Sequence, residues 1–251
     1  MSCCGEKLVE EVCRKREFSK LPSPVVLRAL EKSGNDVSKA RAILRKYFGV
    51  FLTKRVLKSG DEGVLKRHYS TKGRDFEKFY GEIFEGLWDF KSVFDVGCGV
   101  CGFSYPFLKN VVGEVEYLGI EAAGQLVFSC NKFFEKNRFL KCRVFQGDVF
   151  DKDFVLNKFS SLKSPRAVFM FQVIDAMEFF KKDFSKEFIF SLLQKGSRRD
   201  VVAVSFALRS LGGRKFSVSR KWIVDFLKDK SEILKDFECG SERVIVFRKK
   251  L

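Results

Sequence analysis

The chain changes its hydrophobic pattern near residue 91, where short apolar runs begin to alternate with longer amphipathic stretches. The apolar runs are Ser92–Val96, Val115–Ile120, Cys142–Phe145, Ala167–Phe171, Val201–Phe206 and Val244–Phe247. Strands that alternate with helices predict an α/β fold with a doubly wound, Rossmann-like parallel sheet. The last two candidate strands, Ile233–Cys239 and Arg243–Arg248, flank Gly240-Ser241. They predict a C-terminal hairpin that places one antiparallel strand in the sheet.

The residues before the sheet have a helical pattern and a strong positive charge. After Pro22-Ser23-Pro24, apolar residues recur at helical spacing as far as Phe48. Residues 1–74 hold 18 Lys and Arg against 8 Asp and Glu, which is +10 of the total charge of +16. We therefore predict a basic helical domain over 1–74 and a larger α/β domain over 75–251. The candidate contacts with a polyanion in the first domain are Arg14, Lys15, Arg16, Arg45 and Lys46.

The overall composition narrows the class of partner. A charge of +16 on 251 residues favours nucleic acid or an anionic membrane surface as the partner. The sequence lacks both a membrane-spanning apolar stretch and a signal-peptide pattern, and its eight Cys form no dense framework, so we expect a cytoplasmic protein with reduced thiols. Cys98 and Cys101 form a C-x-x-C without a second pair, and the single His68 is distant in sequence. We expect no metal.

Polar residues follow three successive predicted strands. The first strand ends in Asp95-Val96-Gly97-Cys98-Gly99, where glycines let the backbone approach a ligand. Glu121 follows the second strand at the place where an acid binds a ribose diol. Asp148 and Val149 follow the third strand and suit an adenine ring. The turn lacks the full Gly-x-Gly-x-x-Gly spacing of NAD sites, so the residues favour S-adenosylmethionine as the cofactor.

Three stretches resemble one family more closely, namely the guanine-N7 methyltransferases of small-subunit (16S) rRNA that confer aminoglycoside resistance. The stretch His68–Arg74 (HYSTKGR) is similar to the family's His-x-Ser-Thr-x-Glu-Arg signature. The stretch Phe94–Gly99 (FDVGCG) is similar to its Asp-x-Ala-Cys-Gly cofactor loop. The stretch Val204–Arg214 (VSFALRSLGGR) is similar to its Ser-Phe-Pro-x-Arg-Ser-Leu-Gly-Gly-Arg run.

The resemblance implies roles for individual residues. The cofactor would be bound by Ser70, Thr71, Arg74, Asp95, Gly97, Gly99, Glu121, Asp148 and Val149. The catalytic site on the RNA side would contain Gln172, Arg209 and Glu242. Arg209 and Arg214 would contact RNA, and the basic helical domain would dock on the small ribosomal subunit while the protein acts as a monomer. Deleting that domain is expected to abolish RNA methylation and to spare cofactor binding.

Two departures from the family affect the choice of target. Gln172 stands where the family has Lys after its fourth strand, and Gly73 replaces the Glu of the first signature. Guanine N7 carries no proton, so its methylation needs alignment rather than a strong base. Phe171–Asp175 lacks the prolines of amino-methyltransferase motifs, and none of the eight Cys adjoins a Pro, as a cytosine-C5 nucleophile would.

Three interpretations follow from these features. The first is guanine-N7 methylation of small-subunit rRNA near the decoding site, in either a drug-resistance or a housekeeping role. The second is methylation of another rRNA or tRNA nucleotide by the same fold. The third is a non-catalytic RNA-binding protein of ribosome assembly.

Overall fold

A computed structural model describes residues 3–48, 60–68, 70–87, 89–208 and 220–250 of the chain. Its strands are β1 (Ser92–Val96), β2 (Glu116–Glu121), β3 (Cys142–Gln146), β4 (Arg166–Phe171), β5 (Val201–Ala207), β6 (Ser231–Cys239) and β7 (Glu242–Lys249). They form one sheet in the order β3-β2-β1-β4-β5-β7-β6. The first five strands are parallel, and β7 runs antiparallel to both β5 and β6. The predicted Rossmann-like sheet and its antiparallel C-terminal strand are confirmed.

Helices precede the sheet and connect its strands. The N-terminal helices are α1 (Cys3–Cys13), α2 (Ser23–Lys32), α3 (Val37–Tyr47), α4 (Gly63–Arg67) and α5 (Phe76–Phe84). The connecting helices are α6 (Tyr105–Val112), α7 (Gly124–Lys136), α8 (Lys152–Ser161), α9 (Ile174–Phe180), α10 (Phe184–Lys195) and α11 (Lys221–Lys230), with a 3-10 turn at Cys101–Ser104 before α6. Within the described ranges, no helix combines the length and the apolar character that a membrane span requires.

Alternate residues of the strands pack on opposite faces of the sheet. In β4, Ala167, Phe169 and Phe171 belong to one hydrophobic cluster, whereas Val168 and Met170 belong to the other. The first cluster contains the buried residues of α1 to α7, and the second contains those of α8, α10 and α11. Because the N-terminal helices share the first cluster with the sheet, they are packed directly against the α/β region.

Backbone contacts fix the N-terminal segment to the edge of the sheet near β3. The Lys20 carbonyl accepts hydrogen bonds from the Gly124 amide at 3.1 Å and from Gln146 Nε2 at 2.6 Å. The Arg16 carbonyl accepts one from Gln125 Nε2 at 3.1 Å. These bonds hold the loop between α1 and α2 beside the N-terminus of α7.

Substitution of two glycines tests the packing of the first cluster. A methyl group at Gly102 would overlap Cys130 Sγ and lie 3.1 Å from the Phe134 ring, so Gly102→Ala should lower the free energy of unfolding by about 1–3 kcal/mol. Gly81, inside α5, has no atom within 4 Å of an added Cβ. Gly81→Ala should therefore raise stability by about 0.5–1 kcal/mol. Urea denaturation of both variants measures the difference, and equal stabilities would contradict the packing described for the turn.

Candidate functional site

A cleft opens where the parallel strands end. It lies at the carboxyl edge of β1 to β4, which is the usual place for a ligand in an open α/β sheet. Of the residues predicted for the cofactor and the target, seven cofactor residues and one catalytic residue line the cleft: Ser70, Arg74, Gly97, Gly99, Glu121, Asp148, Val149 and Gln172. The structure thus brings most of the predicted set together.

The glycine turn after β1 is constrained by its backbone and by its neighbours. Gly97 and Gly99 have φ angles of 69° and 53°, in the region that favours glycine. A Cβ at Gly97 would also lie 2.8 Å from Val173 Cγ2. The amides of Gly97 and Cys98 donate to the Ile120 carbonyl at 2.9 and 3.0 Å. At Gly97 and Gly99 the turn therefore exposes only backbone atoms to the cleft.

Glu121 organises the floor of the cleft. Its Oε2 accepts a hydrogen bond from the Gly99 amide at 2.9 Å, and its Oε1 accepts one from the Ala123 amide at 2.8 Å. Burial raises the pKa of Glu121, while these amide hydrogen bonds lower it. Each carboxylate oxygen retains a second lone pair, so the group can still accept a hydrogen bond from a ligand hydroxyl.

Asp95 lies under the turn, outside the lining of the cleft. It is buried, its Oδ2 accepts a hydrogen bond from the Tyr117 hydroxyl at 2.7 Å, and within the described residues its Oδ1 has no hydrogen-bond partner. Burial raises the pKa of Asp95 to about 7, against the opposing effects of the Tyr117 hydrogen bond and the Arg74 charge.

Arg74 is a buried cation enclosed by aromatic rings. Its guanidinium carbon lies 4.3 Å from the centre of the Phe79 ring and 5.2 Å from that of Phe171. Its Nε and Nη2 donate to the Glu242 carboxylate at 2.7 to 3.0 Å, and Ser205 Oγ donates to the same carboxylate at 2.6 Å. Burial lowers the pKa of Arg74, and the larger combined effect of Glu242 and other neighbours raises it.

Glu242 and Thr71 differ in position from the other predicted residues. Glu242 is buried outside the cleft lining, with its carboxylate directed at Arg74. Thr71 is also buried, and its hydroxyl donates to the Leu65 carbonyl at 2.7 Å. Both residues thus stabilise the segment around Arg74. Arg209 and Arg214 lie outside the described residues.

Gln172 stands in a conformation that is uncommon for a residue other than glycine. It follows β4 with a φ of 55°, its amide donates to the Ser205 carbonyl at 3.0 Å, and its Nε2 donates to the Ser70 carbonyl at 3.2 Å. Ser70 Oγ in turn lies 2.9 Å from His68 Nδ1, and burial lowers the pKa of His68 to about 3. These contacts connect the stretch His68–Arg74 to the end of β4.

Four cleft residues come from α2, from the end of α3 and from the residue after α3, where the sequence offered no signal for them: Val25, Arg28, Tyr47 and Phe48. Arg28 pairs with Asp148, and its guanidinium carbon lies 4.4 Å from the centre of the Phe150 ring. The Tyr47 ring packs against that of Phe179, with ring centroids 4.6 Å apart and an angle of 30° between the planes. Residues from the first 48 positions of the chain therefore line the cleft together with the strand ends.

The other predicted basic residues lie on the surface. Arg14, Lys15 and Arg16 are exposed in the loop after α1, and Arg45 and Lys46 are exposed near the end of α3. Arg45 pairs with Glu17 at 3.2 Å, and Lys46 lies 5.1 Å from the Tyr47 ring. In the part of the chain that the structure describes, no group of three or more His, Cys, Asp or Glu could hold a metal ion.

Comparison with known proteins gives a consistent fold. No protein-family model and no curated protein sequence matches this chain. The 16S rRNA methylase ArmA superposes with a TM-score of 0.53 at 18% identity, covering 89% of this chain and 96% of ArmA. A SAM-dependent methyltransferase from Aquifex aeolicus gives 0.53 at 20%, covering 74% and 97%. A proposed methyltransferase from Thermobifida fusca gives 0.52 at 14%, covering 94% and 97%.

The pH dependence of stability tests the burial of Asp95. Because its pKa is raised from 3.8 to about 7 in the folded protein, its contribution to stability is fully present below about pH 4 and is lost as the pH rises to about 7. The amide side chain of the Asp95→Asn variant does not ionise, so the variant does not lose stability in this way. The difference in unfolding free energy between wild type and Asp95→Asn should therefore fall by up to about 4 kcal/mol between pH 4 and 7.5.

Chemical denaturation at a series of pH values measures that difference. A difference that stays constant over the whole range would show that the carboxyl group titrates normally.

The sheet order, the position of the cleft and the structural likenesses agree, so the chain has the Rossmann-like fold of the methyltransferases to which it is similar.

Proposed function

We propose that this protein is an S-adenosylmethionine-dependent methyltransferase that modifies guanine N7 in small-subunit rRNA. The observation that carries the proposal is the meeting of the glycine turn, Glu121 and Asp148 in one cleft of a methyltransferase sheet. The similarity to ArmA, a 16S rRNA methylase, and the three sequence stretches support the choice of RNA as substrate. Such a substrate is met in the cytoplasm, where we propose that the protein acts as a monomer.

The residues of the cleft fit this cofactor chemically. A nucleoside needs an acceptor for its ribose hydroxyls, an acceptor for its base amino group and apolar surface for the base. Glu121 and Asp148 are the two acceptors, and Val149 and Phe150 supply apolar surface beside them.

The low basicity of His68 agrees with a target that needs no deprotonation. When bound, S-adenosylmethionine supplies a methyl group on a sulfonium sulfur, and the guanine N7 lone pair forms the new bond to carbon as the carbon–sulfur bond breaks. The chain then has to align the two reactants. His68 is buried and has a pKa near 3, which makes it a weak base. Gln172, held by Ser70, is suited to orient a base by hydrogen bonding rather than to remove a proton.

Gln172 also favours a second candidate, which is the same reaction at another RNA nucleotide. A side-chain amide offers both a donor and an acceptor, whereas the ammonium group of the family's Lys only donates. A neutral amide at this position could therefore select a different base edge. Mapping the methylated position by mass spectrometry decides between the two nucleotides.

Transfer of a labelled methyl group from S-adenosylmethionine to rRNA tests the proposal. The pure protein, small ribosomal subunits and methyl-labelled S-adenosylmethionine should give labelled rRNA. Glu121→Ala should weaken cofactor binding by roughly 10- to 100-fold, since hydrogen bonds to a charged group contribute about 1.5–3 kcal/mol. The matched control is Glu116→Ala, at the other end of β2, which should bind and methylate as wild type does.

The control separates the cofactor site from general effects on the strand. Circular dichroism confirms that both variants are folded before their affinities are compared. Equal cofactor affinity in Glu121→Ala and Glu116→Ala would contradict the proposed site. Cofactor binding without transfer to any RNA would favour a non-catalytic role in ribosome assembly.

A further inference from the structure

An aromatic side chain is exposed on α7, next to the cleft. Phe128 is 57% exposed, whereas Leu126, Cys130, Phe133 and Phe134 form the buried face of the same helix. A single exposed apolar residue is ordinary in itself. The charged groups around this one distinguish it from Phe190, which is also an exposed aromatic side chain.

Two lysines from different parts of the chain lie over the Phe128 ring. Lys132 Nζ is 4.6 Å from the ring centre and Lys20 Nζ is 5.8 Å from it. Neither lysine forms an ion pair with any residue that the structure describes. Cation–π attraction holds the ammonium groups near the ring. The result is an exposed aromatic ring with two ammonium groups over it.

This surface adjoins the cleft through α7, and the loop 14–20 is hydrogen-bonded to the start of that helix. Ala123 and Leu126 of the α7 region line the cleft, and the Lys20 carbonyl binds the Gly124 amide. The loop 14–20 contributes Arg14, Lys15, Arg16 and Lys20, and its one carboxylate, Glu17, pairs with Arg45. On α7 itself, Lys132 and Lys136 accompany a single acid, Glu135. Both segments of the surface therefore carry an excess of positive charge.

We propose that Phe128, Lys20 and Lys132 form an RNA-contact surface on which an unpaired base takes the place of the ammonium groups over the ring, while the lysines move to bind the flanking phosphates. An exposed ring suits a base because every base has a flat face, and nearby ammonium groups neutralise the backbone. The proposal rests on the proposed function and extends it, since it assigns part of the RNA contact to α7. An acidic protein would satisfy the lysines and leave the ring face unmatched.

Two fluorescein-labelled single-stranded RNA oligonucleotides test the surface, one with normal bases and one abasic at its central positions. Phe128→Ala should weaken binding of the normal oligonucleotide roughly tenfold, in line with the contribution of one stacked base. The same substitution should leave the affinity for the abasic oligonucleotide unchanged. The matched control is Phe190→Ala on α10, which replaces another exposed aromatic residue, at 43% exposure, on a helix whose buried side packs on the opposite face of the sheet.

The outcomes separate this inference from the proposed function. Equal binding of the normal oligonucleotide by Phe128→Ala and Phe190→Ala would overturn it, as would an equal loss on both oligonucleotides. A loss of binding to whole small ribosomal subunits, without any loss on the oligonucleotides, would assign the surface to a ribosomal protein and also overturn it. Calorimetric titration with S-adenosylmethionine should give wild-type affinity in Phe128→Ala, so a failure of cofactor binding concerns only the proposed function.

Discussion

The arrangement of the cleft depends on the ion pair and hydrogen bonds that stabilise the buried guanidinium of Arg74. An unpaired charge in a protein interior costs several kcal/mol, so the cation requires an anion and hydrogen-bond acceptors at close range. Glu242 at the start of β7 provides them, Ser205 of β5 holds Glu242, and the rings of Phe79 and Phe171 enclose the cation. The ion pair and its surroundings thereby join the stretch His68–Arg74, α5 and the strands β4, β5 and β7.

The carboxyl groups near the cleft are also buried, and burial disfavours their charged forms. Asp95 and Glu121 are buried close to each other, and burial raises the pKa of both. Glu121 is stabilised by two backbone amides, and Asp148 is stabilised by Arg28 from α2. Glu121 and Asp148 thus present hydrogen-bond acceptors at the cleft, and the ion pair between Asp148 and Arg28 makes α2 part of the same site.

The sequence was sufficient for the sheet and for the strand ends, because both depend on local patterns. Alternating apolar runs predicted the strands, and the residues immediately after them predicted the turn with Gly97 and Gly99, Glu121 and Asp148. Contacts between distant segments left no such pattern. Arg28 and Asp148 are 120 positions apart, and Arg74 and Glu242 are 168 positions apart. A lone arginine in a helix has the same sequence signature whether it faces solvent or a carboxylate, so Arg28 could not be predicted, nor could the pairing role of Glu242.

The central claim is that the helical segment and the strand ends form one S-adenosylmethionine site. Isothermal titration of this cofactor into the intact chain and into Arg28→Ala tests it most directly, with Arg45→Ala on α3 as the control. The account predicts saturable one-to-one binding to wild type and to Arg45→Ala, and binding at least roughly tenfold weaker in Arg28→Ala, because Asp148 loses its partner and the cleft loses part of a wall. No saturable binding to the intact chain, or equal affinity in all three proteins, would contradict it.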